Sequence, residues 1–244
     1  MIDIHSHILP CLDDGAKNIQ ETLDMLKIAV EDGIHTIVAT PHFNDNVYDT
    51  NAELIKKRFD EVQTALEKES IVIKLLLGAE VHIGQQVTQK LKNNKCLTLN
   101  NQGAYFLLEF PHQIWPPGQQ LDNFIFKTQI EGFRPILCHP ERNGVIQDNL
   151  KSLEKLVEND VLIQLTAGSI TGKFGRKAKK YSKLLLKNNM VHVIASDAHS
   201  TRGRPPKLSE ARKQVEKWVG AERTKLMFEI NPKAIISNKA IYCL

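Results

Sequence analysis

Met1-Ile2-Asp3-Ile4-His5-Ser6-His7 is a short, nearly continuous apolar run that ends in two histidines two positions apart. A run of this length reads as a buried strand. Six more of the same kind follow, at Thr36–Ala39, Val72–Leu77, Ala104–Phe110, Arg134–Cys138, Val161–Leu165 and Val191–Ala195. Between them lie segments with helical spacing: Ile19, Leu23, Leu26, Ile28 and Val30 before Gly33, then Leu54 to Leu66, then Leu150 to Val157. Strands apolar on both faces that alternate with helices predict a parallel sheet covered by helices, closed as a barrel or open and doubly wound. About seven repeats favour the barrel. After Pro205-Pro206 the pattern turns helical, over Leu208–Val219 and Thr224–Ile230, and Asn231-Pro232 opens a short tail to Leu244. With no linker or low-complexity tract, residues 1–244 read as a single domain.

The composition is that of a globular protein with a sizeable core: 244 residues, 42% hydrophobic and 25% charged, which excludes disordered and collagen-like chains. The net charge of +4 is small and spread along the chain, so it names no nucleic acid as partner. No stretch approaches the roughly 18 apolar residues of a membrane span, and the start of the chain is strand-like instead of signal-like, so the expectation is a cytoplasmic protein without membrane insertion. Cys11, Cys96, Cys138 and Cys243 are scattered, form no Cys-x-x-Cys pair and are expected to be free thiols. The basic run Lys173, Arg176, Lys177, Lys179 and Lys180 reads as a solvated helix face, and Gly168 to Lys173 lacks the spacing of a phosphate loop.

Acids and imidazoles fall where the strands end. Strand one runs into His5 and His7, strand two into His42, strand three into Glu80, strand four into Glu109, strand five into His139, and strand seven into Asp197 and His199. In a barrel the C-terminal strand ends converge on one face, so these residues would share a pocket. One histidine at a strand end is ordinarily structural. Nearly every strand ending in a donor is not ordinary, and side chains two apart share a face, which suits two bonds to one ion. With Asp14 the set exceeds what a single ion uses, so two or three metals are expected. Asp13-Asp14-Gly15 also fits an ordinary turn and N-cap, and Asp14 gains weight from the company it keeps. His35, His112 and His192 lie before or outside the strand ends and read as structural or solvated; His82 has no assigned direction.

The segments MIDIHSHILPCLDDGAKN (1–18), TIVATPHF (36–43), LLGAEVHI (76–83), YFLLEFP (105–111), PILCHPERN (135–143), QLTAGSITGKFGRKAKK (164–180) and VIASDAHSTRGRPP (193–206) resemble, in order, the motifs of the PHP-family metal-dependent protein-tyrosine phosphatases of bacterial capsule and exopolysaccharide gene clusters. The resemblance implies a distorted (β/α)7 TIM-like barrel, the PHP fold, with a helical C-terminal extension. It implies that His5, His7, Glu80 and Asp197 hold one metal, that Glu80 bridges to a second held also by Glu109 and His139, and that Asp14, His42 and His199 hold the third. Arg142 and Arg204 match the family's phosphate-binding arginines. Manganese is the ion implied, and iron or zinc also suits a nitrogen and oxygen donor set. The implied partner is a tyrosine-phosphorylated protein, the C-terminal tail of a bacterial tyrosine kinase; the oligomeric state stays open. The chain departs from many relatives in having His42-Phe43 where they carry two histidines, and the 44–51 segment, expected to border the substrate cleft, aligns poorly.

Such a site would attack phosphorus directly with a metal-bridging hydroxide while the two arginines hold phosphoryl oxygens. The nearest alternative is a small-molecule phosphomonoesterase, histidinol-phosphatase-like, on the same donors. A nuclease would want an aromatic-interleaved basic stripe, a deacetylase would need neither arginine, and a non-catalytic metal binder would turn over no aryl phosphate.

Overall fold

The computed structural model describes residues 1–43, 47–48, 50–84 and 86–241, save the side chain of Asp148. The reading of Cys243 and of part of the 44–51 segment therefore falls outside the described residues. Among the described residues nine strands occur: β1 Ile2–Ser6, β2 Thr36–Ala39, β3 His42–Phe43, β4 Lys74–Leu77, β5 Glu80–His82, β6 Tyr105–Glu109, β7 Arg134–Cys138, β8 Leu162–Thr166 and β9 Val193–Ala195. All pair in parallel, as β1-β2-β4 and as β3-β5-β6-β7-β8-β9. The seven expected strands are all present, two with the expected bounds and the others with ends shifted by at most two residues. Two of them are broken: β2 stops at Thr40-Pro41 and resumes as β3, and β4 stops at Gly78-Ala79 and resumes as β5. Proline cannot donate to a ladder, which accounts for the first break. The resumed halves pair in the larger sheet, so the two sheets form one distorted ring. The ring closes where Asp197 N–H donates to the His5 carbonyl (2.9 Å) and His7 N–H to the Ala198 carbonyl (2.7 Å).

The helices are α1 Ile19–Glu31, α2 Ala52–Lys68, α3 Val87–Lys92, α4 Gly118–Ile130, α5 Leu150–Glu158, α6 Ala167–Thr171, α7 Gly175–Lys187, α8 Ser209–Val219, α9 Ala221–Lys225 and α10 Asn231–Ile236. Asn18 and Asn51 cap α1 and α2, each side-chain oxygen accepting from a backbone N–H of the first turn. The expected tail instead begins as a helix, α10. A π turn, Leu226–Ile230, leads into it, and Pro232 stands in the first turn of α10, where a missing N–H costs nothing.

Each strand buries both faces. Residues such as Ile37, Leu137 and Ile194 pack outward under the helices, while Ile4, Val38, Leu107, Ile136 and Val193 fill the interior. Ile235 and Ile236 of α10 belong to that interior cluster and plug the end of the barrel opposite the strand tips. Higher in the interior the chain switches from aliphatic residues to Gln164 and Cys138, and above these lie the histidines and carboxylates.

Candidate metal centre

The site is built on strand ends, and two of its residues require unusual backbone. His139, just past β7, has φ 36° and ψ 47°, and Asp197, just past β9, has φ 54°. Left-handed backbone costs a non-glycine residue about 1 kcal/mol or more, and here it turns each side chain off its strand and over the mouth of the barrel. Gly15 is required for a different reason: a Cβ there would lie 2.1 Å from the His7 carbonyl oxygen. The Asp13-Asp14 turn can therefore press against β1.

Nine expected donors meet in one place. His5 Nε2 and His7 Nε2 are 3.2 Å apart, each 3.5 Å from Asp197 Oδ1 and 3.3 Å from Glu80 Oε2. Glu80 Oε1 lies 2.9 Å from His139 Nε2, which is 4.0 Å from Glu109. His42 has two roles: its Nδ1 faces Glu80 (3.1 Å) and Glu109 (3.5 Å), and its Nε2 lies 3.5 Å from Asp14. His199 Nε2 is also 3.5 Å from Asp14. His7, Asp14, His42 and His199 thus form one compact group of donor atoms, His5, His7 and Asp197 a second, and His42, Glu80 and Glu109 a third.

Three observations fit these donors to cations. The Nδ1 atoms of His5 and His7 face Gln164 Oε1 (2.8 Å) and Asp13 Oδ2 (2.7 Å), partners that suit a hydrogen on Nδ1, and the two Nε2 atoms face each other with room for a cation between them and the carboxylates. Buried Glu80 Oε2 has no hydrogen-bond donor. Burial opposes protonation of His5 and His7, yet Glu80, Asp197 and Asp13 outweigh it and raise both imidazoles, so the carboxylates demand positive charge among them. Burial pushes Glu109 up to about 7, helped by the Glu80 charge, whereas burial and the Arg142 charge push His139 down to about 3 and keep it a neutral donor. Glu80 itself, raised by burial alone, is held well below the usual carboxylate range by His5, His42 and His139.

Arg142 and Arg204 both reach the centre, and both donate to Asp197 Oδ2, the oxygen turned away from His5 and His7. Each guanidinium lies over the Phe174 ring, at 4.5 Å for Arg142 and 5.6 Å for Arg204. Phe174 gains that place because Gly168 has no Cβ; one built there would sit 2.7 Å from its Cε2. Arg142 also donates to His112 Nε2 at 2.9 Å, so His112, expected among the bystanders, borders the site. Its spacing hid this, because the loop after β6 is joined to the loop after β7 through Asn143, whose amide donates to the carbonyls of Pro111 and Ile114.

Other expectations resolve by position. Tyr48, within the 44–51 segment, stacks on His42 with centroids 5.3 Å apart and planes 1° from parallel; partial burial and Asp14 raise its phenol to about 12. His82 bonds its neighbour's carbonyl, Ile83 O, at 3.1 Å and joins none of the donor groups. His35 lies beside β2 at the opposite end of the barrel, and His192 is buried under β8, accepting the Ile163 N–H at 2.9 Å. Cys138 is buried beneath the donors, and burial with the Glu80 charge raises its thiol well above the ordinary value, while exposed Cys11 donates to the Lys17 carbonyl. Sequence reasoning missed Asp13, Gln164, Glu141 and Phe174. Buried Glu141 accepts the Thr166 N–H at 3.0 Å and ties the turn carrying Arg142 to the end of β8.

Fold and rim together define a parallel α/β barrel with a histidine–carboxylate centre of the kind that takes divalent metal ions. Within that class the chain belongs to the CpsB/CapC family of capsular polysaccharide synthesis, whose family model matches residues 1–237. It is 37% identical over 242 residues to tyrosine-protein phosphatase YwqE of Bacillus subtilis (99% of this chain, 94% of the relative). It is 30% identical over 246 residues to tyrosine-protein phosphatase CpsB of Streptococcus pneumoniae (99% and 100%). A solved structure among YwqE and CpsB, described as metal-dependent tyrosine phosphatases, superposes with TM-score 0.95 at 36% identity, covering 100% of this chain and 97% of the other. A histidinol phosphate phosphatase from Lactococcus lactis shares the fold alone, with TM-score 0.58 at 10% identity over 93% of this chain and 95% of the other.

Proposed function

We propose that the protein is a metal-dependent protein-tyrosine phosphatase acting on a tyrosine-phosphorylated protein. The observation that carries the reading is the division of Asp197: one carboxylate oxygen belongs to the imidazole group and the other receives both arginines, which supports a metal centre and a phosphate clamp built around one residue. His5, His7, Glu80 and Asp197 would hold one ion, Glu80, Glu109 and His139 a second, and Asp14, His42 and His199 a third. Divalent ions held there would supply Lewis-acid charge and lower the pKa of water toward neutrality. Manganese, the ion the family resemblance implies, is proposed as the native one; the oxygen and imidazole donors suit it, as they would iron or zinc.

The chain's own groups do the rest. Arg142 and Arg204 present planar, paired donors on one side of the donor cluster, suited to the oxygens of a phosphomonoester dianion. Gln164 and Asp13, at the Nδ1 atoms of His5 and His7, would orient these imidazoles to ligate through Nε2. His112 and Phe174 fix the direction of Arg142 before substrate arrives. The substrate is proposed to be the C-terminal tail of a bacterial tyrosine kinase of capsule or exopolysaccharide synthesis, met in the cytoplasm. Among the described residues no helix is long and apolar enough to cross a membrane.

The test is turnover of phosphotyrosine peptides against phosphoserine peptides and histidinol phosphate, before and after chelation. A chelator should abolish activity and manganese restore it, with phosphotyrosine preferred. Replacement of Cys11, Cys96 and Cys243 by serine and Cys138 by alanine should leave most turnover. Preference for histidinol phosphate would make the protein a small-molecule phosphomonoesterase, and loss of chemistry in a folded cysteine variant would remove the metal-dependent mechanism.

A further inference from the structure

Beside the donor cluster lies a cavity of about 440 Å3, and it shares Phe174 and Arg204 with the phosphate clamp. Besides Arg204, its lining includes three more cations, Lys173, Arg202 and Lys207, against one carboxylate, Glu210. Lys173, Arg202 and Lys207 are exposed, and none of them forms an ion pair among the described residues. Exposed Lys27, Lys92 and Lys155, by contrast, lie against Glu69, Glu131 and Asp122. Unpaired like charges around a concavity repel one another, so an anion entering it relieves that repulsion.

The walls hold these cations in fixed relation to the clamp. His199 N–H donates to the Arg204 carbonyl at 2.8 Å and Arg204 N–H to Ser200 Oγ at 3.1 Å, closing the turn on which Arg202 sits. On the far side Asp32 accepts from Leu208 N–H (2.6 Å), Ser209 N–H (2.9 Å) and the Ser209 hydroxyl (2.6 Å), fastening the start of α8 just after Lys207. Two guanidiniums converging on one point, as Arg142 and Arg204 do on Asp197, suit one phosphoryl group. A volume of this size beside it accommodates a further side chain of the same polypeptide.

We infer that this cavity is a second anion subsite that binds an acidic group flanking the phosphotyrosine, so that the enzyme selects acidic phosphopeptides. The inference rests on the phosphatase reading and specifies its substrate. The anion has two sources with the same chemistry, an Asp or Glu carboxylate and a neighbouring second phosphotyrosine.

The test uses manganese-loaded protein and an Arg202→Ser/Lys207→Ser variant, on four substrates: an aryl phosphate, a phosphotyrosine peptide with neutral flanks, the same peptide with aspartate flanks, and a doubly phosphorylated peptide. Losing two exposed cations should lower kcat/KM for the anionic peptides by about tenfold, through KM, and alter the aryl phosphate and neutral peptide by less than about twofold. The arm with the larger loss identifies carboxylate or phosphate as the preferred source. Anisotropy of a labelled, unphosphorylated aspartate peptide reads the subsite without turnover, and the variant should bind it more weakly. Equal responses of neutral and anionic peptides, or unchanged binding of the labelled peptide, overturn the subsite. Absence of aryl phosphate turnover in the parent overturns the phosphatase reading instead.

Discussion

Asp13 Oδ2 lies 2.7 Å from His7 Nδ1 and also accepts the His42 backbone N–H at 2.9 Å, so one carboxylate sets the orientation of a donor imidazole and the start of the strand carrying another. Partners of this kind typically change metal affinity by 10- to 100-fold. Asp13→Ala should weaken metal binding by about that factor while the protein stays folded, and Asp13→Asn, which keeps an acceptor, should weaken it less. Metal titration followed by elemental analysis checks this, and equal affinity in parent and Asp13→Ala would remove Asp13 from the centre.

The arginines are predicted to serve the phosphoryl group and not the ions. Arg142→Ala and Arg204→Ala should each cost about 1.5 to 3 kcal/mol in kcat/KM, the range of a hydrogen bond to a charged group. Lysine should not restore either site, since it lacks the paired planar donors. Metal content should hold and inhibition by inorganic phosphate should weaken. Unchanged kcat/KM in both variants would end the phosphate-clamp assignment.

Phe174 lies under both guanidiniums. Cation–π contacts contribute about 0.5 to 2 kcal/mol, so Phe174→Leu, which keeps apolar bulk but loses the π face, should lower kcat/KM by roughly 2- to 30-fold. Phe174→Tyr should retain most activity. If leucine and tyrosine perform alike, the ring acts by packing alone.

Burial pushes His192 down to about 4 from its ordinary 6.5, and the ring accepts the Ile163 N–H. The unfolded chain therefore binds a proton between about pH 6.5 and 4 that the folded protein refuses. This contribution to stability is complete above about pH 6.5 and is lost as pH falls toward 4, at up to about 1.4 kcal/mol per pH unit. Replacing His192 by Gln, which offers an oxygen acceptor and does not titrate, should flatten that part of the stability profile. Urea unfolding at several pH values measures it, and parallel profiles for parent and variant would contradict the assignment.

The sequence by itself determined the class of fold and most of the donors. Alternation of short apolar strands with helices at regular spacing is a local signal, because burial on both faces makes most strand positions apolar. Donors at successive strand ends were equally legible, since a parallel barrel brings those ends together whatever the details of its closure. Only tertiary structure decided the rest. That β2 and β4 break and pass into the second sheet depends on pairing, and local pattern does not report pairing. That α10 is a buried plug depends on the open end of the barrel, which no residue near Asn231 encodes. The supporting shell was hidden for the same reason: His112 meets Arg142, Gln164 meets His5, and Phe174 enters the space left by Gly168 only once separate loops are held side by side. Distances between loops are set by the whole packed barrel, and therefore by no single stretch of the chain.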